Sequence, residues 1–231
     1  MSAGWLEITR LETRASSADL AEDVWDNDNC CCYSADGERL LDAENYPGEV
    51  HVKDGTKVIC DEVFAFQDYM AEDRRLGEVI PDDERVSLLD KIFLPASVTH
   101  IGRAAFRECG WMKSIKLPKD LLYIAEEAFQ SCWELRSLTC PSGLVAIGEG
   151  AFEDCCSLGK VKLDKALRSI GDGAFYACES LEEIVLPPSL EYIGEDAFGE
   201  TPLKRIFISR SSADIIPPML PERLRRKVRM L

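Results

Sequence analysis

Apolar residues in the second half of the chain recur every 23 residues. Between residues 87 and 208 an Ala-Phe pair returns five times, and an isoleucine precedes each pair at the same spacing. The phenylalanines are Phe106, Phe129, Phe152, Phe175 and Phe198. Glycine follows four of the five isoleucines, and a cysteine lies three residues after each of the first four phenylalanines. Five copies at one period predict a repeat protein, in which each copy buries apolar surface only against its neighbours.

The repeat unit reads L-P-x-x-L-x-x-I-G-x-x-A-F-x-x-C-x-x-L-x-x-I-x. Residues 135–141 place apolar side chains at the first, fourth and sixth positions and end at a proline, which favours a short strand. The glycine after each isoleucine predicts a sharp corner that tolerates positive φ, and A-F-x-x-C has helical spacing. We therefore expect an α/β solenoid, a right-handed coil with a parallel β-sheet on one face and short helices or turns on the other.

This unit resembles the repeat of the BspA-type bacterial leucine-rich repeat family over residues 87–208. The resemblance extends upstream, where Val58, Ile59, Cys60 and Phe64 match an earlier coil. Residues 33–40 are similar to the hairpin that often precedes such repeats, with Asp36-Gly37 as its turn. The resemblance implies a bacterial binding or adhesion module at the cell surface or secreted, and it carries over no catalytic residue.

The departures from the period divide the chain into five segments. Residues 1–29 form an N-terminal segment with room for one short helix, and residues 30–66 contain the hairpin and a first, degenerate coil. Residues 67–86 form an acidic insertion, residues 87–208 contain five coils, and residues 209–231 form a basic tail. Apolar residues at helical spacing predict that the tail is a helix that caps the last coil. In that coil Thr201 replaces the recurring cysteine, which suits contact with solvent or a cap.

The ten cysteines and two histidines indicate no catalytic or metal site. Five cysteines fall on apolar positions of the repeat and are expected to be small buried side chains: Cys109, Cys132, Cys140, Cys155 and Cys178. The run from Cys30 to Cys32 would alternate between the faces of a strand, and the chain lacks the usual spacing of zinc ligands. It also lacks a nucleotide-binding loop and a nucleophile elbow. We expect no enzymatic activity, cofactor or metal.

The net charge of −15 is unevenly distributed. It argues against a protein whose whole surface is adapted to nucleic acid or to an anionic membrane. No apolar run approaches the roughly 18 residues of a membrane-spanning helix. The outward positions of the predicted strands nevertheless carry seven basic and two acidic residues, whereas the corner-and-turn segments carry two basic and ten acidic residues. The sequence therefore predicts a positive sheet face and a negative opposite wall.

We predict that this sheet face binds an acidic segment of another protein. The predicted partner-binding residues are Lys113, Lys116, Arg136, Thr139, Lys160, Lys162, Arg205 and Phe207. Two other interpretations stay open: the acidic insertion covers the face, or the charges are solvated and have no role. Glu182 and Glu183 are expected to neutralise the end of the face that contains Lys204 and Arg205.

Two alternative functions are cell-surface adhesion and binding of a polyanion or nucleic acid through the basic face and the tail. The nucleic-acid alternative is less favoured, because the basic face lacks an aromatic series on which bases stack. The first residues lack the basic start and apolar centre of a signal peptide, and many unpaired thiols favour a reducing compartment. The chain as given therefore reads as cytoplasmic, whereas the family resemblance implies the cell surface.

Overall fold

A computed structural model describes residues 12–44, 48–65 and 89–231 of the protein. The predicted acidic insertion, residues 67–86, and the first eleven residues lie outside the described residues. Two parallel sheets and a wall of turns form a solenoid, and one apolar core runs through it. The predicted fold class is therefore confirmed.

The secondary structure consists of many short strands and little helix. The strands are β1 (Val24–Asp26), β2 (Cys31–Tyr33), β3 (Arg39–Ala43), β4 (Glu49–His51), β5 (Val58–Ile59), β6 (Lys91–Phe93), β7 (His100–Ile101), β8 (Tyr123–Ile124), β9 (Ser137–Thr139), β10 (Ala146–Ile147), β11 (Lys160–Lys162), β12 (Ser169–Ile170), β13 (Glu183–Val185), β14 (Tyr192–Ile193), β15 (Arg205–Ile208) and β16 (Val228–Met230). The helices are α1 (Ser17–Ala21), α2 (Ile216–Met219) and α3 (Glu222–Arg225), with a 3-10 turn at Arg210–Ser212.

The solenoid has three sides, which we call walls, and each repeat supplies one segment to each of them. Sheet 1 has nine strands in the order β1-β2-β3-β5-β7-β8-β10-β12-β14, and all pairs from β3 onward are parallel. Sheet 2 has three hydrogen-bonded pieces, β4-β6, β9-β11 and β13-β15-β16. A parallel bridge between Ser114 and Ser137 extends the middle piece. The third side, here called the turn wall, contains residues 102–109 and their equivalents in later coils.

The structure corrects two local predictions. The isoleucine before each corner belongs to a two-residue strand of sheet 1, so the solenoid has two sheets where the sequence predicted one. The A-F-x-x-C segments are turns, not helices. Their backbone groups bond between coils: the Phe106 N–H donates to the Ala128 carbonyl (2.8 Å), and the Phe152 N–H donates to the Ala174 carbonyl (2.9 Å). Donors used in this way are unavailable for the i to i−4 bonds of a helix.

Six buried phenylalanines form a continuous stack through the core. Neighbouring ring centroids lie 5.0 to 5.7 Å apart with interplanar angles of 3 to 10°. Phe64 is the first member and stacks on Phe106 at 5.2 Å. Ile59 also pairs with Ile101 in sheet 1. The coil that contains Phe64 therefore lies directly beside the coil that contains Phe106.

The corner glycines permit close packing of backbone, and they do not use the positive φ that glycine tolerates. Among the residues that the structure describes, the glycines with positive φ are Gly37, Gly55, Gly150 and Gly173, and none of these follows a repeat isoleucine. A Cβ on Gly171 would lie 2.5 Å from the backbone carbon of Gly148, and the other three corner glycines have equally close backbone neighbours. The backbone of each of these corners therefore packs directly against the backbone of the preceding corner. Cys60 occupies the first corner, where a side chain is accommodated beside Arg39.

The cysteine positions form a second ladder beside the phenylalanines. The buried thiols of Cys109, Cys132, Cys155 and Cys178 each donate to the carbonyl of the phenylalanine one coil earlier, at 3.2 to 3.3 Å. Thr201 is also buried, and its hydroxyl donates to the Phe175 carbonyl at 2.5 Å. Of the two expected environments, solvent or a cap, burial excludes solvent, and threonine supplies the same donor as the thiol it replaces.

The two ends of the solenoid have different closures. At the N-terminal end β1, β2 and β3 are antiparallel, and Gly37 has positive φ in the turn between β2 and β3. The Arg39 guanidinium donates to the carbonyls of Glu12 (2.8 Å) and Arg14 (2.9 Å), which fixes the preceding segment against the sheet.

Residues 209–231 form short elements where the spacing predicted one helix. Ile216, Leu220 and Leu224 are buried in the core, whereas Val228 lies in β16, the outermost strand of sheet 2. Pro217 and Pro218 lie within α2, whose single turn requires few backbone donors. The Arg223 guanidinium donates to the Phe198 carbonyl (3.0 Å), and this bond joins the tail to the last phenylalanine of the stack.

Removing one ring from the middle of the stack should destabilise the protein strongly. Phe152 contacts Phe129 and Phe175 at 5.1 and 5.4 Å, so Phe152→Ala leaves a cavity with apolar walls on both sides. We expect a loss of about 3 to 5 kcal/mol in the free energy of unfolding, measured by urea denaturation. Phe93→Ala, at an exposed position of sheet 2, is the control and should cost much less. Equal losses would contradict the stack as the source of stability.

Adding a methyl group at a corner should also destabilise the fold. Gly171→Ala places a Cβ 2.5 Å from two backbone atoms of the preceding coil, and we expect a cost of about 1 to 3 kcal/mol. The matched control is Gly173→Ala, where the nearest side-chain atom is 3.9 Å away and φ is +59°. Ala104 occupies the equivalent position of an earlier coil with φ of +52°. In thermal denaturation the melting temperature of Gly171→Ala should be lower than that of the control, and the reverse order would reject the close-contact explanation.

The thiol ladder predicts a loss of stability at alkaline pH. Burial raises the pKa of Cys155 from 9.0 to about 12 in the folded state. The unfolded chain therefore loses this proton first, so stability is complete below pH 9 and falls as the pH rises toward 12. For each such thiol the free energy of unfolding falls by about 1.4 kcal/mol per pH unit between the unfolded and the folded pKa. Cys155→Val should reduce the slope of unfolding free energy against pH between 9 and 10.5, and an unchanged slope would contradict this origin.

Candidate protein-binding surface

The outward side of sheet 2 carries a set of cations that we call the basic strip. Its members are Lys113, Lys116, Arg136, Lys160 and Lys162, and all five are exposed. Register places them in rows: in the β9-β11 pair, Lys160 lies beside Ser137 and Lys162 beside Thr139. The Arg136 N–H donates to the Lys113 carbonyl (3.1 Å), so these two residues occupy neighbouring positions on adjacent coils. The strip covers three successive coils.

The lysines of the basic strip have no ion-pair partner among the described residues. Arg136 differs, because its guanidinium lies 3.3 Å from the Glu134 carboxylate. Both of those side chains are largely exposed, so the pair contributes about 0 to 1 kcal/mol and a competing carboxylate can replace Glu134. The strip therefore presents up to five cationic groups to a ligand.

The last two coils of sheet 2 neutralise their own charge, as the sequence predicted. Lys204 contacts Glu182 at 2.5 Å, and Arg205 pairs with Glu183. Phe207 is half-buried and lies beside Val185 in the register of β13 and β15. The structure thus brings together six of the eight predicted binding residues, the basic strip and Thr139. It places Arg205 and Phe207 beyond the two glutamates, at a separate end of the sheet.

An open depression of about 630 Å³ lies at the boundary between these two parts of the sheet. Gly159 occupies the row between Arg136 and Glu182, and its missing side chain leaves the gap. Leu138 and Val161 line the depression together with hydroxyl, ammonium and carboxylate groups from the neighbouring coils. It can accept one side chain of a ligand that lies across the strip.

Two exposed tryptophans border the strip, and the sequence reasoning missed them. Trp111 and Trp133 are 52% and 48% exposed and lie in the turns that lead into sheet 2. The six-membered ring of Trp133 covers Gly110, where a Cβ would lie 2.5 Å from Trp133 Cε3. The expectation that the basic face has few aromatic neighbours was therefore incomplete. That expectation considered only strand positions, whereas these rings belong to the turns that precede the strands. The turns also give no repeated aromatic signal, because the later copies have Cys156 and Glu179 in the place of Trp133.

The cysteine run near the N-terminus has local hydrogen-bond partners. Cys31 Sγ lies 3.2 Å from the Asn29 carbonyl, and Cys32 Sγ lies 3.1 Å from the Asp23 carboxylate. Burial raises the pKa of both thiols to about 12, so both are protonated near neutral pH. Within residues 12–44, 48–65 and 89–231, no group of three metal-ligating side chains converges.

In the same part of the chain, no helix has the length and apolar content needed to cross a membrane.

Solved structures with similar folds are leucine-rich repeat proteins. The chain is 27% identical to a leucine-rich repeat protein from Bacteroides ovatus, with a TM-score of 0.56, over 82% of this chain and 50% of that chain. A leucine-rich repeat protein from T. pallidum is 24% identical over 92% of this chain and 93% of its own, also with a TM-score of 0.56. The pneumococcal vaccine antigen PcpA is 20% identical over 83% and 51%, with a TM-score of 0.61.

The chain spans about half the length of the first and third of these structures. The second and third, below 25% identity, show similarity of fold alone. No curated protein matches the chain. The family model described as a BspA type leucine rich repeat region matches residues 99–217 in six copies, more than half of the chain and one copy more than the period of 23 indicated. The protein belongs to the BspA-type leucine-rich repeat family.

Proposed function

We propose that this protein is a non-catalytic interaction module that binds an acidic segment of another protein through the basic strip. The observation that carries the proposal is four exposed lysines, without ion-pair partners among the described residues, on one face of a chain with a net charge of −15. Repeat families of this kind bind proteins through extended regular surfaces. An acidic partner would be attracted to this face and repelled by most of the remaining surface.

The spacing of the strip suits an extended peptide. Equivalent side chains on adjacent coils lie roughly 5 Å apart, as in any pair of neighbouring strands. Side chains on one face of an extended peptide recur about every 7 Å. Flexible lysine side chains with three rotatable donors bridge that mismatch, whereas a rigid guanidinium fork would require a fixed geometry. A segment with two or three carboxylates on one face is therefore the ligand that we propose.

The basic tail supports a protein ligand over a polyanion. The Arg223 guanidinium donates to the Phe198 carbonyl, and the Arg225 guanidinium donates to the carbonyls of Leu220 (2.7 Å) and Pro218 (3.2 Å). Arg226 pairs with Glu222 at 3.2 Å. These cations hold the tail together, so they add little to a continuous surface for a long polyanion. The turn wall, which carries ten acidic and two basic residues, also repels a long polyanion at a distance.

We propose a reducing, cytoplasmic location on the basis of the thiols. The alternative location is the cell surface, where the protein would act in adhesion. All ten cysteines are free. The four ladder thiols donate to backbone carbonyls of the preceding coil, and a disulfide would remove those donors. Proteins of oxidising compartments use their cysteines as pairs. Cys30 and Cys156 are the two part-exposed thiols. Labelling of these thiols on intact cells with a membrane-impermeant maleimide distinguishes the two locations, since the reagent reaches only a surface protein.

Reversing charge on the strip should weaken binding of an acidic peptide. The probe is a fluorescein-labelled octapeptide of alternating glutamate and serine, titrated by fluorescence anisotropy at 50 and 200 mM salt. Lys116→Glu with Lys162→Glu removes two attractions and adds two repulsions, so we expect at least about a tenfold rise in Kd at low salt. Wild-type affinity should fall at the higher salt, because exposed charges are screened.

The matched control is Lys119→Glu with Lys165→Glu, which makes the same change in net charge at exposed positions outside sheet 2. This control should change Kd about threefold or less, through the long-range field alone. Equal losses in both double variants would reject the strip as the binding site, and unchanged binding in both would do the same.

A further inference from the structure

The two bordering tryptophans extend the proposed binding site beyond charge. Trp111 lies two residues before Lys113, and Trp133 lies three residues before Arg136. The coil-to-coil hydrogen bonds continue through this edge: the Glu134 N–H donates to the Gly110 carbonyl, and the Arg136 N–H to the Lys113 carbonyl, both at 3.1 Å. The tryptophans and the first members of the strip therefore belong to one hydrogen-bonded surface.

Gly110 holds the Trp133 ring against the preceding coil. Any side chain at residue 110 would collide with this ring, since even a Cβ would lie 2.5 Å from Cε3 and 2.8 Å from Cζ3. One face of the indole is thus supported by backbone, and the side chain remains nearly half exposed. A rigid, partly exposed tryptophan loses little conformational entropy when a ligand covers it. Tryptophan and arginine are also the side chains most enriched among the residues that dominate binding energy.

We propose that the partner segment carries a large apolar side chain next to its acidic residues, and that this side chain packs on Trp133 and Trp111 while the carboxylates contact the basic strip. This proposal rests on the proposed function and specifies the ligand of the same site. The surface measures at most about 20 Å along the strand direction, from residue 133 to residue 139, and roughly 10 Å across its three coils, so a segment of roughly six extended residues reaches all of it. The partner segment is therefore short, with an apolar anchor at one end and carboxylates along the rest.

Charge and aromatic rings together favour a peptide over single-stranded nucleic acid. Bases stack on a series of aromatic rings that follows the backbone along a continuous basic groove. Here the two rings lie on adjacent coils at one edge, and the basic strip ends at Glu182 and Glu183. A single apolar anchor followed by a few carboxylates fits this arrangement, whereas a long phosphate chain meets the glutamates.

The test compares two peptides that differ in one residue. The first is Glu-Glu-Ser-Glu-Ser-Phe-Ser, and the second has serine in place of phenylalanine. Binding is followed by tryptophan emission in the Trp5→Phe, Trp25→Phe double variant, in which Trp111 and Trp133 are the two remaining tryptophans. We expect the phenylalanine peptide to bind about five- to tenfold more tightly and to shift the emission to the blue. The serine peptide should bind weakly and leave the emission maximum unchanged.

Two variants locate the anchor, with Kd measured on fluorescein-labelled versions of both peptides. Trp133→Ala should lower the affinity for the phenylalanine peptide to that of the serine peptide and leave the serine peptide unaffected. Gly110→Ala retains the indole but displaces it, and should give a similar loss. Gly110 has no positive φ, so alanine is compatible with its backbone. Trp25→Ala removes an exposed tryptophan outside this surface and serves as the control.

The outcomes separate this inference from the proposed function. If both peptides bind equally and Lys116→Glu with Lys162→Glu weakens both, the basic strip remains the site and the aromatic anchor is rejected. If neither peptide binds, both proposals fail. If a ten-residue oligothymidylate binds more tightly than the phenylalanine peptide and quenches the tryptophans, the surface is a nucleic-acid site and the inference is overturned.

Discussion

The structure depends on the stacking of each coil on the one before it. All three walls use their backbone donors and acceptors between coils, and the phenylalanine stack with its 5.0 to 5.7 Å spacing fills the space between the walls. No coil buries its apolar residues alone, so stability accumulates from contacts between neighbours. The corner glycines, the thiol ladder and Thr201 are consequences of that arrangement: each removes bulk or supplies a donor where one coil touches the next.

The same stacking creates the candidate binding surface. Because residues 23 apart become neighbours, cations that are dispersed along the chain lie in rows on sheet 2. Glutamates one coil further on pair with Lys204 and Arg205, so the basic strip ends after three coils. The rigid coil also fixes the position of Trp133, since the backbone beneath it at Gly110 belongs to the preceding coil. Surface chemistry in this protein is therefore set by the register between coils.

Much of the fold and part of the site could be predicted before the structure. The period identified the core residues, the rows of charge and the self-neutralised end of sheet 2. Local conformation was harder to predict: the A-F-x-x-C spacing indicated a helix, and hydrogen bonds to the next coil made it a turn. The prediction of a helical tail was wrong for a similar reason: the spacing of Val228 favoured a helix, but this residue pairs with β15. In each case a partner distant in sequence determined the conformation.

The sequence by itself determined the repeat and its family, and it predicted a positive sheet face and a negative turn wall, because these follow from which residue types recur at one spacing. Only the tertiary structure decided why glycine suits corners such as Gly171, since the contact there is with the backbone of the preceding coil. It also decided that Trp133 borders the lysines. These properties depend on distances between coils, and such distances exist only once the chain has wound upon itself.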